Sequence, residues 1–449
     1  MKNHNHENQG QFKRQMTSRH LEMLTIGGVI GSGLFLYTGH TISEAGPLGT
    51  ILAYLFGALM IYLVLFSLGE LAVAMPVTGS FHTYATKFVS PGTGFTVAWA
   101  YWICWVVALC SYFVGAGLLM GRWFPGVPTW IFATIFAVII FLLNILSIKV
   151  FAESEYYLSS VKVVAIALFI IIGLGAIFGL LDVEGSQSAP LFKNITDNEL
   201  FPTGFLGVLS IVLATNYAFS GVELIGIGAG ETDNPEKAVP QVIKSTTTKL
   251  VVFFILTIVV IAALLPMEEA SVTEAPFVAV LDKIGVPFAA DIMNFVIITA
   301  LLSAANSGLY ASARMIWSLS NEGMIDKRLV KINENGVPLR AILLSMVGVI
   351  ISLAASVWAA DTVFLVLSAI AGFAMAVTWL SIPFAQINYR KTLSGVKHKA
   401  PFLPYLTIFF LLVSIVGMWI DEAQRTGLYI GLVFVAVCYI YHYIRFKKF

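Results

Sequence analysis

Ile26-Gly27-Gly28-Val29-Ile30-Gly31-Ser32-Gly33-Leu34-Phe35 is the stretch on which the fold turns. It lies within a long apolar run, yet glycine fills positions 27, 28, 31 and 33. Each glycine costs a helix about 0.8–1 kcal/mol relative to alanine, so a helix through this run is expected to open near Ile30 to Gly33. A second weak point, Phe219-Ser220-Gly221-Val222-Glu223 followed by Gly226, Gly228 and Gly230, interrupts another apolar run further along.

What the two weak points mean depends on how many helices separate them. A spanning helix needs about 20 mainly apolar residues, at roughly 1.5 Å each across roughly 30 Å of hydrocarbon. By that measure the 449 residues hold about twelve spans, at 21–40, 48–74, 94–121, 127–147, 155–181, 203–229, 247–266, 287–316, 340–359, 362–386, 402–420 and 426–444. Each is expected to be a helix, because lipid offers backbone groups no hydrogen-bond partner. The breaks then fall in spans 1 and 6, five helices apart.

That spacing points to transport. Carriers built on inverted repeats open two helices in corresponding positions and bind their substrate between them at the midplane. Amides at the start of a half-helix attract a carboxylate, and carbonyls at the end of another accept from an ammonium. A zwitterionic amino acid backbone meets both requirements. Small residues also let membrane helices pack closely, and a single glycine cluster would carry only that meaning. A channel uses broken helices too, and differs in conducting without saturation or exchange.

Composition narrows the class. The chain is 58 % hydrophobic and 11 % charged, far more apolar than a soluble domain. With a net charge of +1 carried mainly in the loops, no basic excess argues for nucleic acid. Cys104, Cys110 and Cys438 lie in apolar stretches and read as small buried hydrophobes. The histidines are scattered, so neither metal nor cofactor is expected. No metal pair on a helix, nucleophile elbow or phosphate loop suggests an enzyme.

Charge also orients the chain. Residues 1–20 read as a polar, disordered tail, and the run that follows is too long and too closely succeeded by others for a cleaved signal. Loops on the tail's side hold all but five of the 26 Lys and Arg. Arg122, Lys193, Lys283 and Arg425 lie opposite, and Lys162 lies inside a span. The positive-inside rule then makes both termini cytoplasmic, in a multi-pass protein of the cell (cytoplasmic) membrane.

Lys162 and Glu223 read as the only ionisable residues well inside spans, where charge is expensive and marks function. Lys162 suits proton exchange, or a fixed ammonium bonded to span 1 carbonyls. Glu223 suits bracing the second break through backbone N–H groups, or meeting substrate or proton directly.

The ordered set of motifs resembles the permeases of the amino acid/polyamine/organocation superfamily, particularly its bacterial amino acid transporter subfamily. It runs from the Ile26–Phe35 stretch through Ala45-Gly46-Pro47, Gly69-Glu70, Gly79-Ser80-Phe81 and Phe219-Ser220-Gly221-Val222-Glu223. Gly230-Glu231-Thr232, Asn306-Ser307-Gly308-Leu309-Tyr310 and Gly336-Val337-Pro338 complete it. The resemblance implies an all-α polytopic membrane protein of the leucine-transporter type. Its ten helices form two inverted repeats of five (21–181 and 203–386) with helices 1 and 6 discontinuous, plus two further helices (402–444), in one domain over 21–446.

It further implies that the substrate carboxylate meets Ser32 and the amides of Gly31 and Gly33. The ammonium would meet carbonyls near Val29, Ile30, Phe219 and Ser220, with Gly221 also at the substrate and Phe219 as an aromatic gate. In proton-coupled relatives a span 5 lysine matching Lys162 stands where sodium-coupled ones hold the ion; Ser303 and Asn306 on span 8 would support it. Tyr112 stands where several subfamily members carry an acid, which points to a neutral, apolar or aromatic amino acid. The function so implied is secondary active transport by alternating access, as proton symport, with amino acid exchange as the alternative.

Overall fold

The computed structural model describes residue 14 and residues 16–146, 148–184, 188–196, 201–269, 275–357, 360–393, 400–420 and 422–446. Among the described residues it is helical, with one isolated bridge between Met16 and Thr232 in place of any sheet. In order the helices are α1 (Ser18–Val29), α2 (Ser32–Phe35), α3 (Tyr37–Ala74), α4 (Ser80–Phe88), α5 (Pro91–Met120), α6 (Thr129–Asn144), α7 (Ile148–Ile177), α8 (Lys193–Thr196) and α9 (Gly204–Ala218). There follow α10 (Leu224–Ala229), α11 (Pro235–Leu264), α12 (Pro276–Ile284), α13 (Ala289–Asn321), α14 (Leu339–Ser356), α15 (Ala360–Thr392), α16 (Leu403–Ile420) and α17 (Glu422–Phe446).

Eight of these helices are long and apolar enough to cross a bilayer, and α6 and α14 are shorter apolar helices. The broken pairs α1/α2 and α9/α10 supply the remaining spans of a polytopic membrane protein. The second half of span 1 does not stop with α2. It continues into the start of α3 as far as Gly46, whose φ of +72° turns the chain ahead of Pro47 and opens span 2.

Packing places the broken helices at the centre. Span 3 (α5) lies along both span 8 (α13) and span 10 (α15), and span 2 (α3) along spans 6 and 7 (α9, α11). The α1 half of span 1 rests on α7, α13, α10 and α11, and α9 rests on α3, α15 and α16. The outer surface is apolar, as lipid requires: Leu52, Leu55, Leu59 and Tyr62 form an exposed stripe along α3.

Three expectations need correction. Span 5 begins at Ile148 rather than 155, so Glu155 lies inside the helix and is buried. Lys162 and Glu223 are thus not alone. Arg314, read as a loop charge, lies inside α13, buried against Glu231 with Nε to Oε1 at 3.0 Å. The tail to residue 20 falls largely outside the described residues, but Met16 is buried and α1 already begins at Ser18.

Candidate functional site

Two residues make the first break. Ile30 ends α1 at φ −78°, ψ 86°, Gly31 follows at φ −138°, ψ −145°, and helix resumes at Ser32. Before it the Ile30 N–H donates to the Ile26 carbonyl at 2.9 Å; after it the Phe35 N–H donates to the Gly31 carbonyl at 3.2 Å. The amides between stand at the start of a half-helix, whose dipole favours an anion. On the other side, the Lys162 ammonium donates to the carbonyls of Gly27 at 2.7 Å, Ile30 at 3.0 Å and Ala300 at 3.4 Å.

The second break turns on Gly221, whose φ of +105° lies where L side chains rarely go. Phe219 N–H closes α9 on the Thr215 carbonyl, and Leu224 N–H restarts the chain on the Gly221 carbonyl, both at 3.1 Å. Glu223 braces the turn between them. Its Oε2 accepts from the Gly221 N–H and the Trp379 indole at 3.1 Å each, and its Oε1 from the Tyr101 hydroxyl at 2.9 Å. A fully buried carboxylate would be costly without such donors.

The breaks meet backbone to backbone. A Cβ on Gly221 would stand 2.7 Å from the Gly28 carbonyl carbon and 2.9 Å from the Val29 nitrogen. Tyr112 closes the opposite side: its ring lies 3.3 Å from where a Gly31 Cβ would be, and Ala304 Cβ lies 3.0 Å from it. Gly33 faces the Ala218 backbone so closely that a Cβ there would overlap it. Ser32 and Ser220 are buried in the same junction. The structure thus gathers Val29, Ile30, Gly31, Ser32, Gly33, Ser220, Gly221 and Tyr112.

Phe219 points elsewhere. Its ring stacks on Phe254 of α11 with centroids 4.5 Å apart and meets Tyr54 of α3 edge-on at 6.0 Å. Tyr54, which sequence reasoning passed over, also donates to the Gly33 carbonyl at 3.3 Å and so ties this aromatic group to the first break.

Ser303 and Asn306 converge on Glu155. Ser303 donates its hydroxyl to Oε1 of that carboxylate, Ser159 does so at 3.1 Å, and Asn306 Nδ2 donates to Oε2 at 3.0 Å. Asn306 Oδ1 in turn accepts from Asn144 at 2.7 Å, and the Ser159 hydroxyl, whose one proton serves either acceptor, also lies 3.0 Å from the Met23 carbonyl of α1. Glu155, Ser159 and Lys162 fall at i, i+4 and i+7 on α7, one face turned to α1 and α13. That spacing was the available signal. Tyr101 and Trp379 had none, since only the fold brings α5 and α15 to Glu223.

Outside the spans, Glu322 pins α4 to the end of α13. It lies 3.3 Å from His82 Nε2 and accepts from the Thr83 hydroxyl at 2.8 Å. Desolvation pushes its carboxyl up, but the His82 hydrogen bond and charge, with the Thr83 and Thr86 hydroxyls, outweigh it and hold the group below its ordinary value.

Two opened helices thus meet backbone to backbone, with one polar face of α7 against them and the Tyr112 ring at their side. The model of the family described as amino acid permease matches residues 20–449. The chain belongs to the amino acid permease family. The permease is 49 % identical to a protein described as a putative histidine permease of Bacillus subtilis (strain 168), over 97 % of this chain and 94 % of that one. It is 45 % identical to amino-acid permease RocE of the same organism, over 99 % and 98 %. It is 38 % identical to the lysine-specific permease LysP of Escherichia coli (strain K12), over 89 % and 83 %. A crystal structure of the Eremococcus coleocola manganese transporter superposes with a TM-score of 0.58 at 13 % identity over 99 % of both chains, a likeness of fold. The permease is accordingly a multi-pass membrane protein that transports amino acids.

Proposed function

We propose that this permease is a proton-coupled symporter of the cell membrane that carries its amino acid by alternating access, with histidine as the first substrate to test. The observation that carries the reading is the junction at Gly221, where the carbonyl end of α1 and the amide end of α2 open beside the second break. A zwitterion's carboxylate would take the amides of Gly31 and Gly33 with Ser32, and its ammonium the carbonyls of Val29, Ile30, Phe219, Ser220 and Gly221. Phe219 would gate the site by leaving its stack on Phe254.

The side-chain preference follows from charge. Glu155 and Glu223, the carboxylates beside the breaks, are each engaged by three donors. A permanently cationic side chain would have to displace one of these donors to reach either carboxylate. Relatives described as histidine and lysine permeases bring nitrogen-bearing side chains into view. Neutral imidazole, aromatic and uncharged above about pH 6.5, satisfies both considerations.

Proton coupling rests on Lys162, an ammonium held by span 1 carbonyls with Glu155 on the same helix face. Two inverted repeats, 21–181 and 203–386, with 402–444 appended, account for span 1 packing on span 5 as span 6 packs on span 10. The split of Lys and Arg supports cytoplasmic termini.

The test is uptake of labelled histidine into proteoliposomes, with unlabelled histidine, leucine, phenylalanine, lysine and arginine as competitors. Histidine should displace the label best, and an inward proton gradient should drive accumulation without sodium. Displacement by lysine or arginine with none by histidine would overturn the substrate; sodium dependence without a proton effect would overturn the coupling. Counterflow without net accumulation would make the protein an exchanger.

A further inference from the structure

A cavity of about 830 Å³ lies between α3 and α11, and none of the residues gathered at the junction of the broken helices lines it. Its α3 wall is Tyr62, Leu65, Phe66, Gly69 and Val73, and its α11 wall includes Pro240 and Ile243. The space opens outward, because Tyr62 on one side and Lys244 and Thr248 on the other are exposed. It runs into the apolar stripes of both helices, Leu55 and Leu59 on α3 and Val252 and Leu256 on α11.

The polar side chains lining this groove, Tyr62 apart, are Glu70, Lys244, Thr247 and Thr248. Glu70 is engaged by Arg390 Nε at 2.9 Å and by Gln386 Nε2 at 2.8 Å, so its charge is answered within the protein. Lys244 makes no ion pair among the described residues. Beside it Thr247, which is 8 % exposed, lines the cavity with a buried hydroxyl that has no hydrogen-bond partner among the described residues. Buried hydroxyls are ordinarily paired, so this one calls for an acceptor from outside.

We propose that the groove binds one anionic phospholipid. The phosphate takes the Lys244 ammonium and the Thr247 hydroxyl, and an acyl chain lies along Leu59, Tyr62 and Phe66 toward the bilayer centre. The occupant is a lipid rather than a free anion because one cation and one hydroxyl make a weak phosphate site in water, whereas the apolar walls hold a chain already present in the membrane. The occupant is anionic because the groove's own carboxylate is neutralised while its lysine is not. Because α11 follows directly from the second half of the broken span 6 and packs on α1, a lipid between α3 and α11 bears on two helices that flank the junction. This site does not depend on which amino acid is carried.

Native mass spectrometry of the full-length protein in detergent tests it, with phosphatidylglycerol and phosphatidylcholine of matched chains as probes. One phosphatidylglycerol should be retained in preference to phosphatidylcholine. Lys244→Gln should lower that occupancy about five-fold, the worth of one lysine at an anionic surface. Thr248→Trp, which fills the exposed mouth without touching the core, should displace both lipids. Lys237→Gln, on α11 but outside the groove, should change nothing. Equal retention of the two lipids, unchanged occupancy in Lys244→Gln, or displacement of phosphatidylglycerol by millimolar inorganic phosphate would each overturn the proposal.

Discussion

Lys162 Nζ donates to the Ile30 carbonyl across 3.0 Å, at the residue where the first span ceases to be helical. With its bond to Gly27 it satisfies two carbonyls that a continuous helix would have paired internally. Lys162→Met leaves both unpaired, at about 1–3 kcal/mol each. Proton-driven uptake into proteoliposomes should fall by about ten-fold or more, and the thermal midpoint in detergent should drop. Full accumulation by this variant would show that the ammonium has no part in coupling.

Gly221 should tolerate no side chain. Alanine there meets a backbone conformation costing roughly 1–3 kcal/mol and, in addition, the Gly28 and Val29 backbone at 2.7 and 2.9 Å. Gly204→Ala is the control, since Gly204 also has a positive φ, +68°, but open space around its Cβ position. In a radioligand binding assay Gly221→Ala should lose substrate binding while Gly204→Ala keeps it. Equal binding by the two would mean that the contact between the breaks is not required.

Much of this was legible because the signals were local. Glycine density marked both helix breaks, and apolar run lengths located the spans. What escaped depended on boundaries or on distant contacts. Glu155 was missed because span 5 starts seven residues earlier than hydropathy suggested, since the Ile148–Ser154 segment mixes apolar with charged residues. Arg314 reads as a loop charge until Glu231 is brought beside it from the turn that follows α10. The place of Phe219 at the substrate is implied by resemblance alone, and its stack on Phe254 is a tertiary fact no local pattern announces. Sequence exposes what a helix can do with its own residues, and leaves open which neighbour answers a buried charge.

The His82–Glu322 contact should make the α4 to α13 junction sensitive to acid. Glu322 is held below its ordinary value of 4.5 in the folded protein. A carboxyl depressed by folding adds stability that is fully present above the unfolded value and is lost as pH falls through the folded one. Wild-type protein should therefore melt above Glu322→Gln at pH 6–7, and the gap should narrow as pH falls below 4.5 and close once it is below the folded value. Differential scanning fluorimetry across that range checks it; a gap that widens on acidification would reverse the sign.

Glu155 offers a way to separate charge from shape. Its Oε1 accepts from two serine hydroxyls and its Oε2 from an amide nitrogen that must donate, because Asn306 Oδ1 is already taken by Asn144. Glutamine at 155 can keep this pattern by turning its oxygen to Asn306 and its NH₂ to Ser303, whose hydroxyl can accept instead. Glu155→Gln should thus lose about 1 kcal/mol or less, while Glu155→Leu, which leaves Asn306 a buried donor without an acceptor, should lose about 1–3 kcal/mol. Transport should sort them differently. With no carboxylate on the α7 face it shares with Lys162, the Gln variant should respond weakly to an imposed proton gradient while still exchanging labelled for unlabelled substrate. Uptake measured with and without the gradient, beside counterflow on the same vesicles, decides the matter. A Gln variant that accumulates substrate like wild type would leave Glu155 a purely structural acceptor, and one as unstable as Leu would mean that the charge itself holds α1 and α13 to α7.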